Sequence, residues 1–450
     1  MSKSSGYATT SKPQEVVTRD IERKPYDLSH WSFKTGHIGR LQTFSVIPVV
    51  AGDSIELNMS AVLRLSPLRH FMYLDAVVDL FAFYVPHRHV YGSNWTAFLK
   101  AGVDEGSTLG TTTFTGSNRP ECLGVYFAAG QVLPSWSVHP YTMIWNNYFR
   151  DPQVDADAKT DATYLIGLTY PDPILKYGLP VCHLKRSWNT GVASGLSTAD
   201  YSLALSGGEV DLYQMSQLKG RLQTEQARDW FAFARYRDIL KYTWDSEVNI
   251  DADQRPELIM RSTAWLSGKD VDGTDDATLG SYTGKSTGIF NLSFPSRFFA
   301  EHGSIWIMGV VRFPPIVEAE AGYLNSKSEP TYKEISGDPS IIKHEPPISL
   351  NANEQFQGAS SVDLGKIPYG QWYRESINML SADYLEVSGH PFLLKSSITS
   401  RATGVYVVPS QYDTVFSDTL MGHWNSQAFV DVRAKRFIPA PEDSIFAGTI

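Results

Sequence analysis

The sequence predicts an all-β protein, a single antiparallel sandwich whose loops contain most of the chain. Three observations carry this expectation: period-two alternation near both ends, interior segments that are apolar on both faces and stop at proline, and helical signals confined to the stretches between strands.

The elements follow in order. Residues 1–24 read as a flexible N-terminal arm, because the first fourteen carry Lys3 and Lys12 without an acid, among Ser, Thr and Gly, a composition that buries no core. Residues 25–450 are expected to form one domain with long insertions. LQTFSVIPVV (41–50) and SIELNMSAVLRL (54–65) flank a turn at Ala51-Gly52-Asp53 and are expected to be two paired strands. MYLDAVVDLFAFYV (72–85) is apolar on both faces in its second half and stops at Pro86, as a buried central strand does. GSIWIMGVVRF (303–313) repeats that character before Pro314-Pro315, and TGVYVVP (403–409) is a further short strand. QAFVDVRAKRF (427–437) alternates Val430, Val432 and Ala434 against Asp431, Arg433 and Lys435, so it should have one buried and one wet face.

Helical signals are fewer. Ser93 is placed to cap NWTAFLKA, closed by Gly102, and Pro140 sits where a first-turn proline would start YTMIWNNYF. Residues 211–244 carry a helical apolar stripe broken at Gly220, which predicts two helices. Loops rich in Gly, Pro, Ser, Thr and Asp are expected at about 103–120, 151–163, 189–209, 267–290 and 326–363.

Composition narrows the function. Charged residues are only 19% of the 450 while aromatics reach 12%, which suits surfaces meant for burial against other protein. The formal net charge of −9 opposes unaided binding to phosphate backbones, so nucleic acid would require another cationic component. Cys122 and Cys182 cannot form a disulfide framework and suit a reducing compartment or core packing. No apolar run near the start has signal-peptide length and none later approaches a bilayer span, so a soluble protein is expected.

Motifs that spell enzymatic chemistry lack its context. Asp270-Val271-Asp272-Gly273-Thr274 matches the DxDGT of aspartyl phosphatases, yet no buried strand precedes it, and a solvated acidic turn is the better reading. Residues 280–286 are one residue short of a phosphate-binding loop, which misaims the backbone N–H groups. His87 and His89 would share a face if the strand continued past Pro86, but no further ligand lies nearby, and hydrogen bonds in a turn fit better. Glu301-His302 could offer an acid and a base, without geometry to support them. Lys185-Arg186 near Trp188, Arg261 near Trp265, and Arg433, Lys435 and Arg436 beside Phe437 mix cations with aromatics as single-stranded nucleic-acid sites do.

A set of unusual words in fixed order carries a resemblance: DLSH (27–30), GHIGRL (36–41), PVVAGDS (48–54), LRLSPLR (63–69), FYVPHRHVYG (83–92), NNYF (146–149), CHLK (182–185), SGKDVDGTD (267–275), VRFPP (311–315), GQWYR (370–374), WNSQ (424–427) and DSI (443–445). With these words the chain resembles the major capsid protein F family of the phiX-like microviruses, small icosahedral phages with circular single-stranded DNA. The resemblance implies an eight-stranded antiparallel jelly roll with large insertions, no enzymatic activity, and assembly through pentamers into a T=1 shell. It implies as partners a spike protein, internal and external scaffolding proteins, a DNA pilot protein and a small basic DNA-binding protein, which would supply cations the coat lacks. Contact with single-stranded DNA and with a host lipopolysaccharide sugar is also implied, as is a place in the virion and, during assembly, in the host cytoplasm. Lys185, Arg186, Arg433, Lys435 and Arg436 are the candidate DNA contacts. Asp443, beside Glu442, is the candidate for a Ca²⁺ at a subunit contact, because hard oxygen ligands suit that ion; no cofactor is required. The chain departs from the pattern in residues 1–24, 103–135, 189–211 and 341–420. A carbohydrate-binding jelly-roll lectin and a β-rich glycosidase are the rival readings, and neither accounts for the ordered words.

Overall fold

The computed structural model describes residues 22–68, 74–101, 109–113, 121–124, 132–150, 176–181, 255–266, 286–314, 316–317, 320–345, 348–356, 360–381, 412, 415–416 and 422–438. Its elements in chain order are β1 (Lys24–Asp27), β2 (His30–Gly36), β3 (Gln42–Val49), β4 (Ser54–Leu65), β5 (Ala76–Pro86), α1 (His87–Tyr91), α2 (Ser93–Ala101), β6 (Thr111–Thr113), β7 (Val132–Pro134), α3 (His139–Ile144), β8 (Glu257–Leu266), β9 (Thr287–Phe298), β10 (Gly303–Arg312), α4 (Tyr332–Ile335), α5 (Pro339–His344), β11 (Ile348–Asn351), α6 (Ala352–Gln355), β12 (Asp363–Ile367) and β13 (Trp424–Arg436).

Two antiparallel sheets form the body. In the five-stranded sheet β1 and β2 lie end to end along one side of β13, followed by β4 and β9; the four-stranded sheet runs β3, β10, β5, β8. β1 and β2 behave as one strand interrupted at Leu28-Ser29, since both run antiparallel to β13 and the Leu28 N–H donates across the break to the Val432 carbonyl. Counted so, eight strands wrap with the chain crossing repeatedly between sheets, and the fold is the all-β jelly roll the resemblance implies.

One expected pairing is wrong. β3 and β4 are consecutive and joined by four residues, yet they do not pair: β3 joins β10 and β4 joins β13 and β9. The connection is a corner. The Asp53 carboxylate accepts from the Val50 N–H at 2.8 Å, and the Asp53 N–H donates to the Val50 carbonyl at 3.0 Å, which turns the chain over the edge of the core. The apolar faces of the two strands then meet across the sandwich, Phe44, Ile47 and Val49 in the same cluster as Ile55, Leu57 and Met59. Pro48 fits this arrangement, since β3 is an edge strand and a proline there removes no ladder donor.

The two sheets differ in what covers their outer faces. A second apolar cluster packs Phe83, Val85, Trp306, Met308 and Val310 against Tyr141, Ile144, Trp145 and Leu179. The Tyr141 hydroxyl donates to the Leu41 carbonyl and accepts from the Leu179 N–H, both at 2.8 Å, and the Trp145 indole donates to the Pro180 carbonyl at 2.7 Å. The central strands of the four-stranded sheet are therefore buried on both faces, which is why β5 and β10 read as continuous apolar runs, while the edge strand β8 stays largely exposed. Among the described residues the five-stranded sheet has no such cover in its middle, and β4 and β13 alternate buried and exposed along their length.

The expected helices at 93–101 and from Pro140 are present, the latter continuing as a π-turn over Trp145–Phe149. The segment 326–363, expected to be a loop, instead carries α4, α5, β11 and α6 and ends where β12, the partner of β11, begins, with Thr331–Glu334 and Asn351–Glu354 capping boxes holding two of the short helices. The strand at 403–409, the helices within 211–244, the 270–274 and 280–285 motifs and Cys182 lie outside the described residues.

Candidate nucleic-acid interface

The exposed face of the five-stranded sheet gathers the aromatic and cationic side chains that the sequence left scattered. Strand parity decides its membership. On β13 the odd positions from Asn425 to Lys435 face outward while Trp424, Ala428, Val430 and Val432 are buried. Register then fixes the neighbours. Phe429 lies between Trp31 of β2 and Ser60 of β4, Gln427 between Phe33 and Val62, and Asn425 between Thr35 and Arg64. Val62 in turn faces Ile289 of β9, which is 73% exposed.

Three aromatic rings form the centre of this face. Trp31 is 58% exposed, Phe33 65% and Phe429 38%, values far from those of the core. The Trp31 and Phe33 rings are stacked at 6.2 Å with 17° between planes, and Trp31 meets Phe429 at 5.0 Å. Sets of exposed rings on a sheet can serve as stacking platforms for unpaired bases, since every base offers a π-face.

The five expected DNA contacts fare differently. Lys435 is exposed between Pro25 and Ser54, and among the described residues it has no carboxylate partner. Arg433 is exposed too, but it pairs in register with Asp27 and Glu56 and lies 3.6 Å from the Asp431 carboxylate, so its charge is largely balanced on the same face. Arg436 has the opposite parity. Its guanidinium is buried, 2.9 Å from the fully buried Asp53, and it donates to the Pro48 carbonyl of the other sheet. Grouping Arg436 with Arg433 and Lys435 is therefore corrected: a strand sends adjacent side chains to opposite faces, and this one closes the end of the sandwich. Lys185, Arg186 and Asp443 lie outside the described residues.

Sequence reasoning misses Arg64. Arg64 reads in sequence as one more polar position of an amphipathic strand, and only the β2–β13–β4 register puts it beside the aromatic centre. The signal present is HWSF (30–33), where the large rings alternate with a small Ser32 that points inward. Lys34 shares the inward parity of Ser32, and burial lowers the pKa of its ammonium, with Cys122 and Glu121 acting in the opposite direction.

The remaining chemistry suggested by motifs is absorbed into structure. The chain leaves the strand at Pro86 and turns helical, so His87 and His89 do not share a strand face. His87 instead packs against Trp95 and Trp136, and burial pushes its pKa down to about 4. Glu301 forms two hydrogen bonds with the Arg88 guanidinium, at 3.0 and 3.2 Å. Among the described residues no group of three or more His, Cys, Asp or Glu is placed to hold a metal ion.

Known proteins resemble this chain over nearly its whole length. A family model described as capsid protein (F protein) matches residues 14–192 and 197–446. Capsid protein F of Escherichia phage G4 is 37% identical over 429 residues, covering 95% of this chain and 99% of the relative. The capsid proteins F of Escherichia phage alpha3 and Enterobacteria phage phiK are each 34% identical over 433 residues, with the same coverage.

Proposed function

The chain belongs to the phage capsid protein F family, and from that premise we propose that it encloses a circular single-stranded DNA genome with the exposed face of its five-stranded sheet turned toward the nucleic acid. It is a major capsid protein of the virion, a structural protein rather than an enzyme, and it acts by self-assembly into a shell. The architecture suits shell building, because a sandwich with a packed core between its sheets and a second cluster over the central strands of one of them is a rigid block for setting subunit geometry.

The finer assembly is part of the proposal. One domain from residue 25 onward, preceded by an arm, associates through pentamers into a T=1 icosahedral shell in the host cytoplasm. Spike, scaffolding and pilot proteins dock on it. A small basic DNA-binding protein offsets the net −9 of the coat. Host lipopolysaccharide sugar is met on the opposite, outward surface, and Asp443 takes Ca²⁺ at a subunit contact.

The observation that carries the DNA-facing reading is the sheet face that no described element covers, aromatic at its centre and bearing Arg64 and Lys435 without carboxylate partners among the described residues. Single-stranded DNA gives that surface both base faces and phosphates to meet. The test is sedimentation of particles from infected cells with assay of nuclease-protected DNA, in the parent and in Lys435→Glu and Arg433→Glu variants. Lower DNA content in intact shells is expected for Lys435→Glu and a smaller loss for Arg433→Glu. Normal packaging in both would remove these residues as contacts.

A further inference from the structure

One end of the exposed sheet face is a cleft of about 330 Å³ lined by Phe33, Lys34, Thr35, Val62, Arg64, Asn425, Ser426 and Gln427. Its size falls at the lower end of the range for small-ligand sites, about 300–1,000 Å³. Its charge is unlike that of the chain around it. Arg64 is the cation that faces it and no carboxylate lines it, in a protein with a formal charge of −9; Lys34 has the opposite strand parity and turns its ammonium inward toward Glu121 and Gly124.

We propose that this cleft is a nucleotide-binding subsite, taking one unpaired base on Phe33 and its phosphate on Arg64. The inference rests on the DNA-facing reading above and names the point on that face where the strand is held. Each wall matches one part of a nucleotide. Phe33 presents an open ring, and Trp31 stacked beside it at 6.2 Å gives the neighbouring base a second platform. Arg64 sits two strands away across β13, roughly 10 Å, and lines the same cleft. A planar guanidinium suits a phosphate through paired N–H donors. Asn425 and Gln427 stand between them, each with donors and an acceptor that a base edge can use in either polarity.

The chemistry also selects the strand form. Stacking on Phe33 needs an unstacked base face, which duplex DNA does not offer at its groove surface, so the subsite holds single strands. A second coat subunit would fit an apolar face equally well in area. It would not need the Arg64 guanidinium, which has no carboxylate partner among the described residues, in a lining without a carboxylate, and that charge decides for an anionic ligand.

The test is ultraviolet crosslinking of DNA to protein in purified particles, followed by nuclease and protease digestion and mass mapping of nucleotide–peptide adducts. Adducts are expected on peptides containing residues 31–35 and 425–429, and they should fall at least about fivefold in Phe33→Ala particles, the effect of losing one stacked base. Arg64→Gln should lower the same adducts while leaving shells intact. Particles that hold protected single-stranded DNA with adducts only elsewhere would overturn the subsite but leave the DNA-facing reading standing. Particles that hold no DNA would overturn both. Loss of shell assembly in Phe33→Ala, with the variant subunit still folded by circular dichroism, would assign the cleft to a coat–coat contact instead.

Discussion

Replacing Arg436 by Met should destabilise the subunit strongly and leave any DNA contact untouched. The guanidinium and the Asp53 carboxylate are 2.9 Å apart, with side chains 8% and 0% exposed. At an effective dielectric near 20, such a pair attracts by roughly 6 kcal/mol, against a desolvation cost of several kcal/mol per ion. The pair as a whole is therefore worth little, and burial accordingly pushes the Asp53 carboxyl above its ordinary range despite the Arg436 charge. Removing one partner is different, because it leaves the other charge buried without compensation, a loss of about 3–5 kcal/mol. Arg436 also loses its hydrogen bond to Pro48, the bond that ties the end of β13 to the opposite sheet. Urea unfolding of the full-length subunit, followed by tryptophan fluorescence at pH 7, measures the effect. Arg436→Met and Asp53→Asn should each lower the midpoint markedly, and the double variant should lose clearly less than their sum. Single losses within ~1 kcal/mol, below the range for a broken buried pair, or strict additivity, would refute the argument. A normal midpoint with reduced DNA content would return Arg436 to the genome-contacting set.

Three further outcomes follow from the core. His423 is buried in a stack with His37 at 4.0 Å and Phe416 at 4.3 Å, its Nδ1 accepts from the Ile38 N–H at 3.2 Å, and burial pushes its pKa down to about 4. Between the unfolded value near 6.5 and that folded value the unfolded chain binds a proton that the native state refuses, so stability should fall on acidification by up to about 3 kcal/mol from this group. His87 adds a similar slope over the same window; His423→Asn should roughly halve the pH dependence of the unfolding midpoint, and an unchanged slope would show that His423 does not titrate on unfolding. Asp79 accepts from Thr263 at 2.5 Å, Arg312 at 2.7 Å and Arg261 at 3.1 Å, tying β8, β5 and β10 together. Burial raises its pKa, but these hydrogen bonds outweigh it and hold the carboxyl below its ordinary range, so its stabilisation is present above about pH 4 and lost below it. Asp79→Asn should cost about 3 kcal/mol at pH 7 by urea titration, with the difference from the parent shrinking in acid. Gly178 has φ +94°, and a Cβ there would lie 2.0 Å from the Leu41 carbonyl oxygen and 2.6 Å from the Tyr141 hydroxyl. Gly178→Ala should cost at least ~2 kcal/mol and lower the thermal midpoint; a variant as stable as the parent would mean the 176–181 segment does not bind the sheet as described.

Much of the fold is legible because its signals are local. β5 and β10 announce themselves as doubly buried strands that end at proline, and β13 shows one wet face. The β3–β4 relationship is not legible, because a four-residue connection suits a hairpin and a sandwich corner alike. The choice rests on the Asp53 carboxylate and on which strands compete for each edge, and neither is written near the turn. The helices within 326–363 leave no trace in the hydrophobic pattern because each is a single turn or slightly more, too short for periodicity to show.

By itself, the sequence determined the all-β class, the alternation of the terminal strand and, through ordered words such as FYVPHRHVYG, membership of a capsid family. Those depend on residues close together along the chain or on word order. Tertiary structure alone decided which cations face outward and which aromatics accompany them. Arg433 and Arg436 are three residues apart and look equivalent in sequence, yet the pleat sends one to the wet face and the other to a buried carboxylate. Phe33, Gln427 and Arg64 are distant in sequence and become neighbours only through the register of β2, β13 and β4. Cross-strand neighbours are set by hydrogen-bond pairing between segments hundreds of residues apart, and no local pattern encodes that.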